Sequence, residues 1–229
     1  WWNFTICFKK YDVDMEEEIQ IINENTRKEK IKSFFIKNSK NIIFLFSAFV
    51  ILILIYFIFD EFKTRSHLKI AEKYNYVVNN HKNQIVNSKI ETDLIEIIES
   101  KNSTYSPLAL YFIIDNEIIT DTNKINKYFD LIIGINFIDK EIKNLNIYKK
   151  GIFNSNFATE NELIKILRPI LNSDSIWKSH SLLLLSEFFF FKNNKSESKK
   201  LLNEIINDEK SNENIKLEAQ KKLIRDFSD

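Results

Sequence analysis

Apolar and polar residues alternate in two different ways along this chain. From Ile42 to Phe59 the sequence reads IIFLFSAFVILILIYFIF, eighteen residues without a charge, fifteen of them Leu, Ile, Phe or Val. A soluble helix of that length normally shows a polar stripe, and this one shows none. At about −0.3 to −0.6 kcal/mol for each of those fifteen, the run favours a bilayer by roughly 5 to 9 kcal/mol. At about 1.5 Å per residue it spans roughly 27 Å, close to the ~30 Å of a hydrocarbon core. It predicts a single crossing rather than a buried core helix. A cleaved signal peptide has a shorter apolar region and a small-residue cleavage site, whereas Phe59 runs straight into Asp-Glu-Phe-Lys-Thr-Arg.

After Asp60 the pattern becomes short amphipathic segments separated by Asn, Ser and Asp. Helix is predicted to continue to about Asn79 with Leu68, Ala71, Tyr74, Val77 and Val78 inward, and Ile90, Leu94, Ile97 and Ile98 share one face of a second segment. Ser106-Pro107 predicts a cap and first turn of a helix reaching about Glu117. Asp121 is expected to cap the next, with Ile125, Tyr128, Phe129, Ile132 and Ile133 inward; Leu145, Tyr148 and Ile152 then face one way. Leu163, Ile166, Leu167 and Ile170 follow, and Pro169, which lacks a backbone donor, is expected to end or kink that helix near Arg168.

The last third has the plainest pattern. Trp177 to Lys192 carries Leu182 to Leu185 and Phe188 to Phe191, apolar on nearly every side, and is predicted to be sandwiched between neighbours; ten residues interrupted by Glu187 are too short for a second crossing. The turn Asn193-Asn194 leads to Leu201, Leu202, Ile205 and Ile206 on one face. After a linker at 207–214, Ile215, Ala219 and Leu223 recur every fourth residue with a Lys-rich outer side, the polar-backed helix that an open helical stack needs as a cap.

Charge orients the crossing. Arg27 to Asn41 holds six basic residues against Glu29 alone, while Asp60 to Tyr74 is mixed, so the N-terminal side is expected in the cytoplasm. Three parts follow: residues 1–41 leading, 42–59 crossing, and 60–229 as an exported helical domain. Met15 opens Met-Glu-Glu-Glu like a natural start, so residues 1–14 are expected to come from an over-extended reading frame or to form a disordered lead. Residues 16–40, with Ile19, Ile21, Ile22, Ile31, Phe34 and Phe35 and a basic end, read as an amphipathic helix near anionic headgroups or as a solvated tail.

Composition narrows the functional classes. After Phe59 there are 25 Lys+Arg and 25 Asp+Glu; without a basic excess, no nucleic-acid partner is expected. Two Gly and two Pro in 229 residues favour an all-α fold. Cys7 is the only cysteine, so neither a disulfide nor a cysteine-based zinc site is expected. His67, His81 and His180 are scattered, and no nucleophile motif or phosphate-cradling loop occurs, so no catalytic, metal or cofactor site is expected. Asp115 with Glu117, and Glu160 with Glu162, are two apart and read as solvated charge.

Helix, turn, helix with a period in the thirties is the pattern of an α-solenoid. Ser179 to Asn212 resembles a tetratricopeptide repeat: Leu182, Leu185, Ser186 and Phe189 on the first helix and Ser198, Leu202 and Ile205 on the second are the candidate repeat-packing residues, with Asn193-Asn194 in place of the usual Gly-Asp turn. Residues 104–138 and 139–172 match in helix spacing. From about Glu16 to Phe227, and most locally in Ile176-Trp177-Lys178-Ser179, the chain resembles the bacterial inner-membrane family of ancillary SecYEG translocon subunits with a tetratricopeptide-like periplasmic domain. That resemblance implies association with SecYEG and with periplasmic chaperones of the peptidyl-prolyl isomerase class. The expected function is a membrane-anchored protein-interaction module. The alternatives are an envelope-assembly or cell-division scaffold, or an anchored envelope enzyme.

Overall fold

The computed structural model describes residues 26–82, 89–136 and 138–227, and among these every regular element is a helix. The expectations for residues 1–25, including Met15 as a start and the acidic stretch after it, lie outside the described residues. The chain divides into Trp1–Arg65 and Ser66–Asp229.

In the first unit, residues 26–37 are helical and a turn at Asn38 leads into α1, Ser39–Lys82. The portion Ser39–Ile58 is long and apolar enough to cross a membrane, and none of it is buried. Within it Ser47 Oγ donates to the Phe44 carbonyl at 2.9 Å.

The second unit takes the remainder of α1 and then α2 (Lys89–Glu99), α3 (Tyr105–Asp115), α4 (Thr122–Ile133), α5 (Lys140–Asn154), α6 (Glu160–Leu171), α7 (Lys178–Phe191), α8 (Lys195–Asn207) and α9 (Glu213–Phe227). From α2 onward each of these packs on the next where both helices are ordered in sequence as α2–α3, α3–α4 and so on to α8–α9, and α2 also meets α4, α5 meets α7 and α7 meets α9. Two apolar cores result. Val77, Leu94, Ile97, Ile98, Leu110, Ile113, Phe129 and Ile132 centre one, and Leu163, Leu167, Ile170, Leu185, Leu202 and Ile205 the other.

The order is periodic. α3, α5, α7 and α9 begin 35, 38 and 35 residues apart, and α2, α4, α6 and α8 begin 33, 38 and 35 apart. Side-chain hydrogen bonds repeat the same interval: Asn102 with His67 at 2.9 Å and Asn116 with His81 at 3.1 Å, each 35 residues apart. Tyr111 donates to Asn146 Oδ1 at 2.7 Å, again 35 apart, Ser175 donates to Glu141 at 2.6 Å, and Lys210 donates to Asp174 at 3.1 Å.

Local chemistry explains the boundaries. Asp121 accepts from the Asn123 and Lys124 amides, Asp139 from Glu141 and Ile142, and Thr159 forms a reciprocal capping box with Glu162, so three helix starts have satisfied donors. α7 ends with Asn193 at φ 62°, its N–H on the Phe190 carbonyl and the Asn194 N–H on that of Phe189. This is the six-to-one closure usually made with glycine, and it shows how Asn-Asn serves as the turn. Asn194 then accepts from Glu197 to cap α8.

Several expected details differ. Ser106 does not cap α3: it lies inside the helix with Oγ donating to the Ile97 carbonyl at 2.8 Å, while Asn102 Oδ1 accepts from the Thr104 and Tyr105 amides. Of the ending or kink expected near Arg168, the ending falls three residues later, since α6 runs to Leu171 with Pro169 inside its last turn. α5 turns inward Asn144, Asn146, Ile147, Gly151 and Asn154, leaving Ile152 exposed. The amides of Asn146 and Asn154 tolerate burial because they are paired, with Tyr111 and Asn126 among their partners, and Gly151 admits its neighbours closely: a Cβ there would lie 2.6 Å from Leu167 Cδ2 and 3.4 Å from Leu184 Cδ2. α9 buries Ala219 as expected, but Leu217 and Ile224 stand exposed on its outer side.

Candidate interaction surface

The seven residues singled out from the repeat pattern lie between α7 and α8. Leu182, Leu185, Ser186 and Phe189 on α7 and Ser198, Leu202 and Ile205 on α8 are all buried. Ser186 Oγ is spent on the Leu183 carbonyl at 2.7 Å. They build the pair rather than greet a ligand. Where α9 joins, Ser186, Ser198 and Leu202 border a small pocket of about 200 Å³ together with Phe190, Phe191 and Lys222.

A second set of residues runs across α3, α5 and α7 and keeps partial exposure. Tyr111, half-buried, gives its hydroxyl to Asn146, and Lys149 Nζ sits 5.5 Å from the Tyr111 ring centre. Burial pushes the Tyr111 phenol up to about 12. Tyr148 stacks on Trp177 with centroids 5.7 Å apart and planes at 23°, and His180 lies 5.9 Å from the former and 5.2 Å from the latter. Burial and the carboxylates of Glu187 and Glu218 raise the Tyr148 phenol as well. Glu187 is held by Lys222 of α9 at 2.5 Å. His180 Nδ1 and Asn144 Nδ2 are buried without a hydrogen-bond partner. Rings, amides and a cation side by side suit side chains of a protein partner through stacking and cation–π contact.

On α4, α5 and α6 a cleft of about 590 Å³ opens over Ile133, Ile147, Ile166 and Phe157. Asn126 and Asn154 bridge its walls with two reciprocal amide bonds of 3.0 and 2.9 Å, and Lys150 holds Asp130 at 2.6 Å. Pro169 lines the same cleft; having no N–H, it leaves the Lys165 carbonyl without its helical donor. A cavity of about 500 Å³ lies between the turns before α7 and α9, crossed by the ion pairs Lys210–Asp174 and Lys178–Asp208 at 3.1 and 3.6 Å. Lys210 beside Asp174 lowers that carboxyl below its ordinary value.

Elsewhere charge serves local structure. Asp115, Glu117, Glu160 and Glu162 are exposed, and the Thr159 amide and hydroxyl hold the Glu162 carboxyl below the usual range. Lys73 bridges Asp93 and Glu96; burial opposes its charge, but the two carboxylates outweigh it and its pKa rises. Among the described residues no group of three or more His, Cys, Asp or Glu is placed to hold a metal ion.

Periodicity picked out the packing residues but missed Tyr111, Asn146 and Tyr148 as a surface. The signal that finds Tyr111 and Asn146 is a polar or aromatic residue matched 35 positions later, as in His67/Asn102, His81/Asn116 and Tyr111/Asn146. No family model, curated protein or solved structure matches the chain.

Proposed function

We propose that this chain is a membrane-anchored protein-interaction module, a tetratricopeptide-like α-solenoid tethered by the apolar part of α1. The observation that carries the reading is the recurrence of helix starts and cross-pair hydrogen bonds at about 35 residues. Stacked helix pairs generate extended surfaces on which a partner's segment can lie, and the half-buried rings of Tyr111, Tyr148 and Trp177 supply such a surface here. The tether is supported by energy. Exposing fifteen large apolar side chains to water at about 1.5 to 3 kcal/mol each costs on the order of 20 to 45 kcal/mol, beyond the ~5–15 kcal/mol that stabilises a domain.

The excess of cations before Ser39 supports a cytoplasmic N-terminus and an exported helical unit. The resemblance to ancillary translocon subunits supports SecYEG and the peptidyl-prolyl isomerase class of periplasmic chaperones as partners. The test is photo-crosslinking in living cells from a photoreactive residue at Tyr148 of the full chain, followed by identification of the adducts. Sec components or such a chaperone are the expected adducts. Cell-division or envelope-assembly proteins without any Sec component overturn the translocon assignment, and absence of protein adducts overturns the module.

A further inference from the structure

We propose that residues 26–40 form a binding site for anionic phospholipid headgroups, beside the membrane crossing rather than within it. The proposal rests on the reading that Ser39–Ile58 spans a bilayer. Residues 26–37 are helical, and only Asn38 separates them from α1. Ile31, Phe34 and Phe35, at i, i+3 and i+4, share one face and are 58, 60 and 55% exposed. Lys30, Lys32 and Lys37 lie off that face and Lys40 just beyond the turn, while Arg27 and Lys28, four and three residues before Ile31, border the apolar face; Glu29 is the sole acid between Arg27 and Lys40. Among the described residues no ion pair engages Lys30, Lys32, Lys37 or Lys40.

Two terms act on this arrangement at once. The apolar face gains by entering the boundary between headgroups and acyl chains. The lysines gain about 1 kcal/mol each within a Debye length of an anionic surface. A nucleic acid would satisfy the cations but leave the Phe34–Phe35 face in water, so charge and apolarity together select a lipid surface. The positive flank thereby has a use after topology is set: it concentrates acidic lipids around the anchor.

The full-length chain is reconstituted in phosphatidylcholine vesicles holding about 20% phosphatidylglycerol, an anionic lipid. Trace headgroup-photoreactive phosphatidylglycerol or phosphatidylcholine is added, and adducts on residues 26–40 are mapped by mass spectrometry. The glycerol lipid is expected to label them on the order of tenfold more than the choline lipid, and about 0.5 M salt to erode the preference. The quadruple variant K30Q/K32Q/K37Q/K40Q is expected to reduce it to less than about twofold while the melting of the unit after Ser66 stays unchanged. Equal labelling by the two lipids, or a preference untouched by the quadruple variant, overturns the site. In a second variant, Phe34→Ser with Phe35→Ser, labelling at residues 26–40 should fall for both lipids; no fall overturns the role of the apolar face. Alkaline extraction separates the two levels. Release of the wild-type chain overturns the anchor and the lipid site together, whereas retention without lipid preference overturns the lipid site alone.

Discussion

Two stretches of this chain are made of nearly the same material and have opposite surroundings. The apolar part of α1 has Phe44 at 73% and Ile58 at 70% exposure, whereas on α7 Leu182, Leu185 and Phe188 are 3 to 5% exposed. Hydrophobicity alone does not tell them apart; length and neighbours do. α7 is short enough to be covered by α5, α6, α8 and α9, all of which contact it, and its serines at 179, 181 and 186 are buried with it. No described helix covers Ser39–Ile58, which has the dimensions of a bilayer instead. One greasy helix is covered by protein; the other is left uncovered by any described helix and is long and apolar enough to cross a membrane.

Identical substitutions break this contrast in different currencies. Leu185→Arg buries an unpaired guanidinium, which costs at least ~3–5 kcal/mol and is expected to abolish cooperative melting of the helical unit. Leu52→Arg is expected to weaken membrane insertion by about 2.5–3.5 kcal/mol and leave that melting unchanged. Circular dichroism and alkaline extraction of both variants read the two effects; an equal loss of melting temperature from Leu52→Arg would erase the distinction. Next in size, Leu202→Ala leaves a cavity in a site 1% exposed and should cost about 2–5 kcal/mol in denaturant unfolding, against less than ~1 kcal/mol for Leu54→Ala in the proposed membrane span.

Gly151→Val is expected to destabilise the helical unit by roughly 1–3 kcal/mol, because Leu167 at 0% exposure has little room to retreat. Glu117→Gly acts in the opposite direction: Glu117 holds φ 51° after α3, and glycine there should add up to about 1 kcal/mol, read as a raised melting temperature. A further effect is one of pH. The folded protein keeps the Tyr111 proton to about pH 12, whereas an unfolded tyrosine releases it near 10. The contribution is present below about pH 10 and lost as pH rises toward 12. Melting curves over that range should fall less steeply in Tyr111→Phe.

The all-helical fold and the apolar span were legible because each rests on one-dimensional regularity. Leu163, Leu167 and Ile170 advertise a face by spacing alone, and Asp121 announces a cap by position. α5 was not legible, since Asn146 and Asn154 look like surface residues until partners from other helices are known: Tyr111 for Asn146, Asn126 for Asn154. The interior of α5 depends on pairing across long separations, and hydropathy carries no record of that. Ser106 misled for the same reason, its hydroxyl being claimed by Ile97, nine residues back.

The cross-pair bonds also limit how such a chain can be rearranged. The chemistry changes along the chain: an imidazole with an amide at His67–Asn102 and His81–Asn116, a phenol with an amide at Tyr111–Asn146, a carboxylate with a hydroxyl at Glu141–Ser175. Excising one cassette of about 35 residues would preserve the spacing yet bring together faces that were never matched, such as a tyrosine facing a serine. The array therefore has a fixed order written into its seams, and its units cannot be shuffled like interchangeable bricks.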